Sequence, residues 1–299
     1  MSADKKDAAS LCRAVRLAAL LAASALGSPA FGTVELQGVE GPPRDNILAF
    51  LDLDDEPCDA PSWRVEQLFR GAPSRIREAL QAYGYYEPTL TPSLAFNDDC
   101  WHVVFAIALG EPVRIRGFDV TLAGEAANDP EFAAALAQSR LAPGAPLEHG
   151  AYEQLKRRWA DLARDRGYPD AELVDNQIAV YPAEHAAYVT LRFSSGERYA
   201  FGDTVFRQDV LTESLASSYL PFRPGDPYDA RQLTQVYTDY VDSGYFRTID
   251  VRPLEPDRAT RTIPVEIVLT SAARRQISYG VGFSTDTGPR LRFGRNNRR

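Results

Sequence analysis

At 299 residues the chain is long enough for two or three domains, and 44% hydrophobic with 25% charged residues excludes a disordered polymer. Its formal net charge of −8 lacks the basic footprint that neutralises phosphates, so no nucleic acid is expected as a partner.

Lys5, Lys6, Arg13 and Arg16 precede an apolar run over residues 17–26. Gly27-Ser28-Pro29-Ala30 then offers small residues for cleavage after Ala30. This order predicts a secretory signal peptide over residues 1–30. The run is shorter than the roughly 20 residues a spanning helix needs, and a short buried helix is the alternative. Residues 1–30 hold four cations and two carboxylates, so the mature chain would carry −10 against −8 for the whole. Cys12 lies ahead of the apolar run, misplaced for a lipid anchor, and would leave with the signal. Cys58 and Cys100 remain, an even count in an oxidising compartment. A bridge between them would close a loop of about 42 residues and contribute about 3–4 kcal/mol; two partly buried thiols are the alternative.

From residue 33 one pattern recurs three times. The first copy opens with a strand over 34–38 and a short helix beginning near Pro43. An acidic loop over 52–59 follows, then a helix carrying Val65, Leu68, Phe69, Ile76, Leu80 and Tyr83 on one stripe. Gly71 and Pro73 interrupt that stripe, which predicts a kink or break, because proline removes a donor and clashes one turn back. Gly84-Tyr85 closes the helix. A strand over 88–96, a polar Asn97-Asp98-Asp99 turn and a strand with Trp101, Val103, Phe105, Ile107 and Leu109 at period two complete the copy.

The second copy repeats the order. It has a strand over 113–120, a short helix near Pro130, Pro143-Gly144-Ala145-Pro146, and a helix with Tyr152, Leu155, Trp159 and Leu162. Gly167-Tyr168 closes that helix, and strands follow over 171–180 and through Val189, Leu191 and Phe193. The third has a strand over 199–205, a short helix near Gln208, Pro224-Gly225-Asp226-Pro227, and a helix with Leu233, Val236, Tyr237, Tyr240 and Val241. Gly244-Tyr245 and strands over 249–254 and through Ile263, Val265, Ile267 and Leu269 end it. The Gly-Tyr pairs are structural repeat markers, spaced by 83 and 77 residues, and each glycine suits the left-handed end of a helix. That period exceeds the roughly 20–50 residues of a solenoid and suits small domains with their own cores.

The boundaries implied are a signal peptide at 1–30, domains at 33–110, 111–197 and 198–272, and a distinct segment at 273–299. In that segment Ile277, Tyr279, Val281 and Phe283 alternate with small or polar residues. Thr285-Asp286-Thr287-Gly288 turns, and Leu291-Arg292-Phe293 opens a second strand. Such dyad alternation is the habit of an outer-membrane barrel, with an ordinary terminal hairpin as the alternative.

The unit strand-helix-helix-Gly-Tyr-strand-strand, after a signal peptide and before a barrel-like hairpin, resembles the POTRA domains of outer-membrane assembly and transport proteins. The barrel-start pattern of that family is echoed over residues 278–290, Ser278-Tyr279-Gly280-Val281-Gly282-Phe283 in particular. The resemblance implies an α+β fold of three tandem POTRA-like β-α-α-β-β domains followed by the first hairpin of a truncated β-barrel. Three copies resemble the TamA-type autotransporter assembly factors; BamA-type members usually carry five, and two-partner secretion transporters two. It also implies an outer-membrane location with residues 31–272 in the periplasm and lipid-facing Ile277, Tyr279, Val281 and Phe283. Unfolded outer-membrane or autotransporter clients would be partners, together with a TamB-like, inner-membrane-anchored periplasmic protein at the first module. A two-partner-type secretion pore for a dedicated cargo is the alternative.

Chemistry is not signalled. His102, His149 and His185 show no metal-ligand spacing with one another or with cysteine and read as solvated. No nucleophile elbow or phosphate loop appears. The expectation is a binding module with no catalytic, cofactor or metal residues, rather than an enzyme. The basic end (Arg274, Arg275, Arg290, Arg292, Arg295, Arg298 and Arg299) reads as hairpin decoration, with contact to anionic headgroups as the alternative.

Overall fold

The computed structural model describes residues 31–97, 100–208, 211–272, 275–284 and 288–297. The signal peptide with Cys12, the Asp98-Asp99 turn, Arg274, Thr285-Asp286-Thr287 and Arg298-Arg299 lie outside the described residues. So do the side chains of Arg275 and Arg295.

In chain order the first repeat comprises β1 (Thr33–Gln37), α1 (Pro42–Phe50), α2 (Ser62–Gln81), β2 (Thr89–Phe96) and β3 (Trp101–Ala108). The second comprises β4 (Arg114–Ala123), α3 (Pro130–Gln138), α4 (His149–Asp165), β5 (Glu172–Tyr181) and β6 (Ala186–Ser194). The third comprises β7 (Ala200–Arg207), α5 (Glu213–Ser217), α6 (Ala230–Ser243), β8 (Phe246–Pro253) and β9 (Thr262–Ser271). A hairpin of β10 (Arg275–Ser284) and β11 (Gly288–Asn297) follows. The architecture is mixed α+β, a β-α-α-β-β unit used repeatedly.

Each repeat builds one three-stranded sheet, in the orders β1-β3-β2, β4-β6-β5 and β7-β9-β8. The last strand of each repeat is central, because it carries the strongest alternation of buried residues. In β3, Trp101, Val103, Phe105 and Ile107 all point into the core. β1 pairs with β3 in parallel, Val34 opposite Val103, and β2 pairs antiparallel, Leu94 opposite Val103. β7 and β8 flank β9 in the same two senses.

By contacts the chain divides into two compact units. Among the described residues, one holds those from 31 to 114 with Pro146–His149 and Val180–Ala186; the other holds Ile115–Ala145, Gly150–Ala179 and the described residues from Ala187 onward. In the first unit Ile47 of α1 and Val65, Ala72, Ile76 and Leu80 of α2 seal against β3. In the second unit, Trp159 of α4 donates its indole N–H to the Phe132 carbonyl at 3.2 Å and packs 5.7 Å from the Phe193 ring. Tyr240 of α6 packs edge-on against Phe246 and donates to the Ala216 carbonyl at 2.8 Å.

Three sequence expectations are corrected. α2 runs unbroken through Pro73. Its buried stripe continues on both sides of the proline, and tertiary packing of an amphipathic face outweighs the cost of about 3 kcal/mol for an interior proline. The third short helix starts at Glu213, not near Gln208. The Gln208 amide instead closes a local turn on the backbone of Leu211, and Thr212 caps the helix by accepting from the Leu215 N–H. Of the α6 stripe, Leu233, Val236 and Tyr240 are buried, whereas Tyr237 and Val241 stand exposed.

Candidate functional site

The described residues suited to holding another chain are the sheet edges, and the repeat markers decide which edges are covered. In the first unit Gly84 adopts φ +85°, and its carbonyl accepts the Val113 N–H at 2.9 Å. The Val113 carbonyl in turn accepts from Leu147 at 2.8 Å. A Cβ on Gly84 would stand 2.8 Å from the Leu147 carbonyl oxygen. The second unit repeats this arrangement. Gly167, at φ +81°, accepts from Tyr199 at 2.7 Å, and Tyr199 accepts from Tyr228 at 3.1 Å. A Cβ there would stand 2.8 Å from Tyr228 Cβ. Gly167 is therefore a backbone clasp for the strand and Pro-Gly turn that follow, and Gly84 clasps Val113 and Leu147 within its own unit.

The third marker differs. Gly244 also has positive φ, at +68°, and caps α6, but a Cβ there would meet open space among the described residues. The tyrosines diverge as well. Tyr85 is half-buried against the first core, Tyr168 is buried edge-on against Phe132, and Tyr245 is exposed, its carbonyl accepting from Ala272 at 2.9 Å.

Around the second clasp lies a charged lock that sequence reasoning missed. Arg166 bonds Asp129, the N-cap of α3, and reaches Asp229, the N-cap of α6, at 3.8 Å and Glu131 at 3.6 Å. Arg198 donates to the carbonyls of Arg166 and Tyr228 at 2.8 and 2.9 Å. Arg231, chiefly by hydrogen bonding, holds the Asp229 carboxyl below the usual carboxylate range. Burial pushes the Tyr228 phenol up to about 12. The sequence hint was an aspartate at the cap of one helix in the second copy, Asp129, and of one in the third, Asp229.

In the first unit Cys58 and Cys100 are joined, with 4.4 Å between their Cα atoms. The bond ties the acidic loop to the head of β3, where Trp101 also donates to the Pro57 carbonyl at 3.0 Å. His149 is not solvated as expected. It lies half-buried, with Nε2 2.6 Å from the Tyr86 hydroxyl. His102 lies 3.6 Å from Glu35.

The Pro-Gly turns cover the start of two edges: β4 through the Ile115–Ala145 and Gly144–Ile115 bonds, and β7 through the Phe201–Asp226 and Gly225–Phe201 bonds. Among the other edges β1 is five residues long, β2 contains Pro92, and β8 ends in Pro253. β5 is ten residues long without proline and exposes Leu173, Val174 and Tyr181. Such an edge offers unpaired backbone donors and acceptors to an added strand. Beside its first residues opens an apolar cleft of about 440 Å³.

The hairpin places Tyr279 opposite Phe293 and Val281 opposite Leu291 on one face, and Gly280 and Gly282 opposite Arg292 and Arg290 on the other. Ile277, Tyr279, Val281 and Phe283 are all exposed.

Residues 33–109 match the family model described as POTRA domain TamA domain 1. The crystal structure of POTRA domains 3–5 of Haemophilus influenzae BamA is similar at 16% identity and a TM-score of 0.42, covering 82% of this chain and 96% of that one. BamA from Haemophilus ducreyi lacking POTRA domains 1–3 is similar at 13% identity and a TM-score of 0.45, over 61% of this chain and 34% of that one. CdiB from Acinetobacter baumannii is similar at 13% identity and a TM-score of 0.37, over 64% and 36%. The chain is built of repeated β-α-α-β-β units, and the first of them, over residues 33–109, matches the model for TamA domain 1.

Proposed function

We propose that this chain is the periplasmic arm of an outer-membrane β-barrel protein that assembles or inserts outer-membrane proteins and autotransporters, holding extended clients by β-augmentation. The observation that carries the reading is the long, proline-free, partly apolar edge of β5. Backbone pairing selects extension rather than sequence, which suits a factor that handles many unfolded barrel precursors. The exposed apolar face of β10–β11 supports a barrel start that meets lipid through Ile277, Tyr279, Val281 and Phe283. The first module, with its disulfide-tied acidic loop, is the end offered to a TamB-like, inner-membrane-anchored partner. The modules bind and position other chains rather than catalyse a reaction.

The test is a photo-crosslinking scan of the full chain against an unfolded outer-membrane barrel protein. A reporter at Val174 should crosslink, and one at Ala200, on an edge covered by its Pro-Gly turn, should not. Absence of crosslinks from every edge strand would overturn the reading.

A further inference from the structure

The cleft of the second unit is lined by Ala160, Tyr168, Leu173 and Phe193 from the second repeat and by Leu254 and Ile263 from the third. Apolar atoms dominate its wall, and its volume of about 440 Å³ is large enough to admit a bulky side chain. Two strand ends meet it. β5 starts there, since Glu172 and Leu173 line the cleft, and β8 finishes there, since Pro253 lines it. Both are edge strands of their sheets. β5 runs away from the cleft and β8 runs toward it, so a single extended chain can lie antiparallel to both without reversing direction.

The rim supplies the charge. Glu172 and Glu255, which sits between Leu254 and the lining residue Pro256, are exposed and form no ion pair among the described residues. Arg164 on the same rim is occupied by Asp161. The available rim is therefore acidic.

We infer that the cleft is the side-chain pocket of the docking edge and receives one bulky apolar residue, flanked by lysine or arginine, from an extended segment of another protein. The inference rests on the β-augmentation reading and adds a residue preference to it. Backbone pairing on β5 would supply sequence-tolerant affinity, and the cleft would select the register by taking the apolar side chain between the two edges. The carboxylates of Glu172 and Glu255 would favour the cationic neighbours.

Fluorescence anisotropy of the full chain with labelled strand-like peptides of roughly nine residues tests this. One peptide carries a central Lys-Phe-Lys, a second Lys-Ser-Lys, a third Glu-Phe-Glu. The Lys-Phe-Lys peptide should bind about tenfold tighter than the serine peptide, the scale expected for burying one aromatic side chain, and tighter than the glutamate peptide, whose carboxylates the acidic rim repels. Ala160→Trp, from an exposed helical position, should fill the cleft and erase the preference for phenylalanine while leaving the serine peptide unaffected. Leu254→Ser at a second exposed position should do the same without adding charge to the rim or touching a core residue. Equal binding of the phenylalanine and serine peptides would overturn the cleft and leave edge pairing standing. Binding of none of the peptides would overturn both. A chain that is dimeric without peptide and becomes monomeric with Ala160→Trp would assign the cleft to a second copy and overturn the inference.

Discussion

Three glycines that look identical in sequence stand in three different surroundings. Gly84, Gly167 and Gly244 share positive φ, a conformation that costs an L residue about 1–2 kcal/mol. Only Gly84 and Gly167 are also pressed against a following segment, each with 2.8 Å to the nearest atom from a notional Cβ. Gly244→Ala should therefore cost about 1 kcal/mol, and Gly84→Ala and Gly167→Ala about 3 kcal/mol or more, since the clasp must shift as well. Urea denaturation of the three variants of the full chain checks the ranking; equal losses would mean that the clasps carry no packing. The repeat was legible because helix ends require a residue tolerant of the left-handed region. The clasp was not, because its partners, Leu147 and Tyr228, lie more than 60 residues away in sequence.

At the scale of elements, β9 shows how a sheet holds a charge. Glu266 on this central strand is 5% exposed and lies under two arginines, one from each flanking strand. Arg207 of β7 bonds one carboxylate oxygen, and Arg252 of β8 donates Nε to the other at 3.0 Å. The hydrogen bond from Arg207 first, and that from Arg252 second, hold the carboxyl below its ordinary 4.5. A carboxyl depressed in the folded state contributes stability above its unfolded pKa and loses it as pH falls through the folded pKa. The third module should therefore lose stability on acidification below about pH 4.5. Glu266→Gln should be less stable at neutral pH, with the difference from wild type shrinking as the pH falls. Urea titrations from about pH 7 to pH 3 check this; a constant difference would refute it. The helices teach the complementary point. The apolar stripes of α2, α4 and α6 were visible as period 3.6, yet Pro73 did not break α2, because a local rule yields where a buried face continues across it.

At the scale of the molecule the hairpin is the anomaly. Six large apolar residues of β10 and β11, Ile277, Tyr279, Val281, Phe283, Leu291 and Phe293, are between 52% and 85% exposed. A contiguous apolar face of this kind marks an interaction surface. The full chain should associate with phosphatidylcholine vesicles, and Val281→Asp combined with Phe293→Asp should reduce that association at least about tenfold, as follows from losing two bulky apolar contacts. Vesicle flotation measures it; unchanged flotation would show that this face does not meet lipid.

Read alone, the sequence determined the β-α-α-β-β order and its repetition, because helix and strand periods, turn residues and Gly-Tyr helix ends are local and recur. The family resemblance followed from that order. Tertiary structure decided which edges remain open, how Arg166 joins two helix caps, and where a cleft forms between β5 and β8. These depend on contacts between residues tens of positions apart, and no local pattern encodes them.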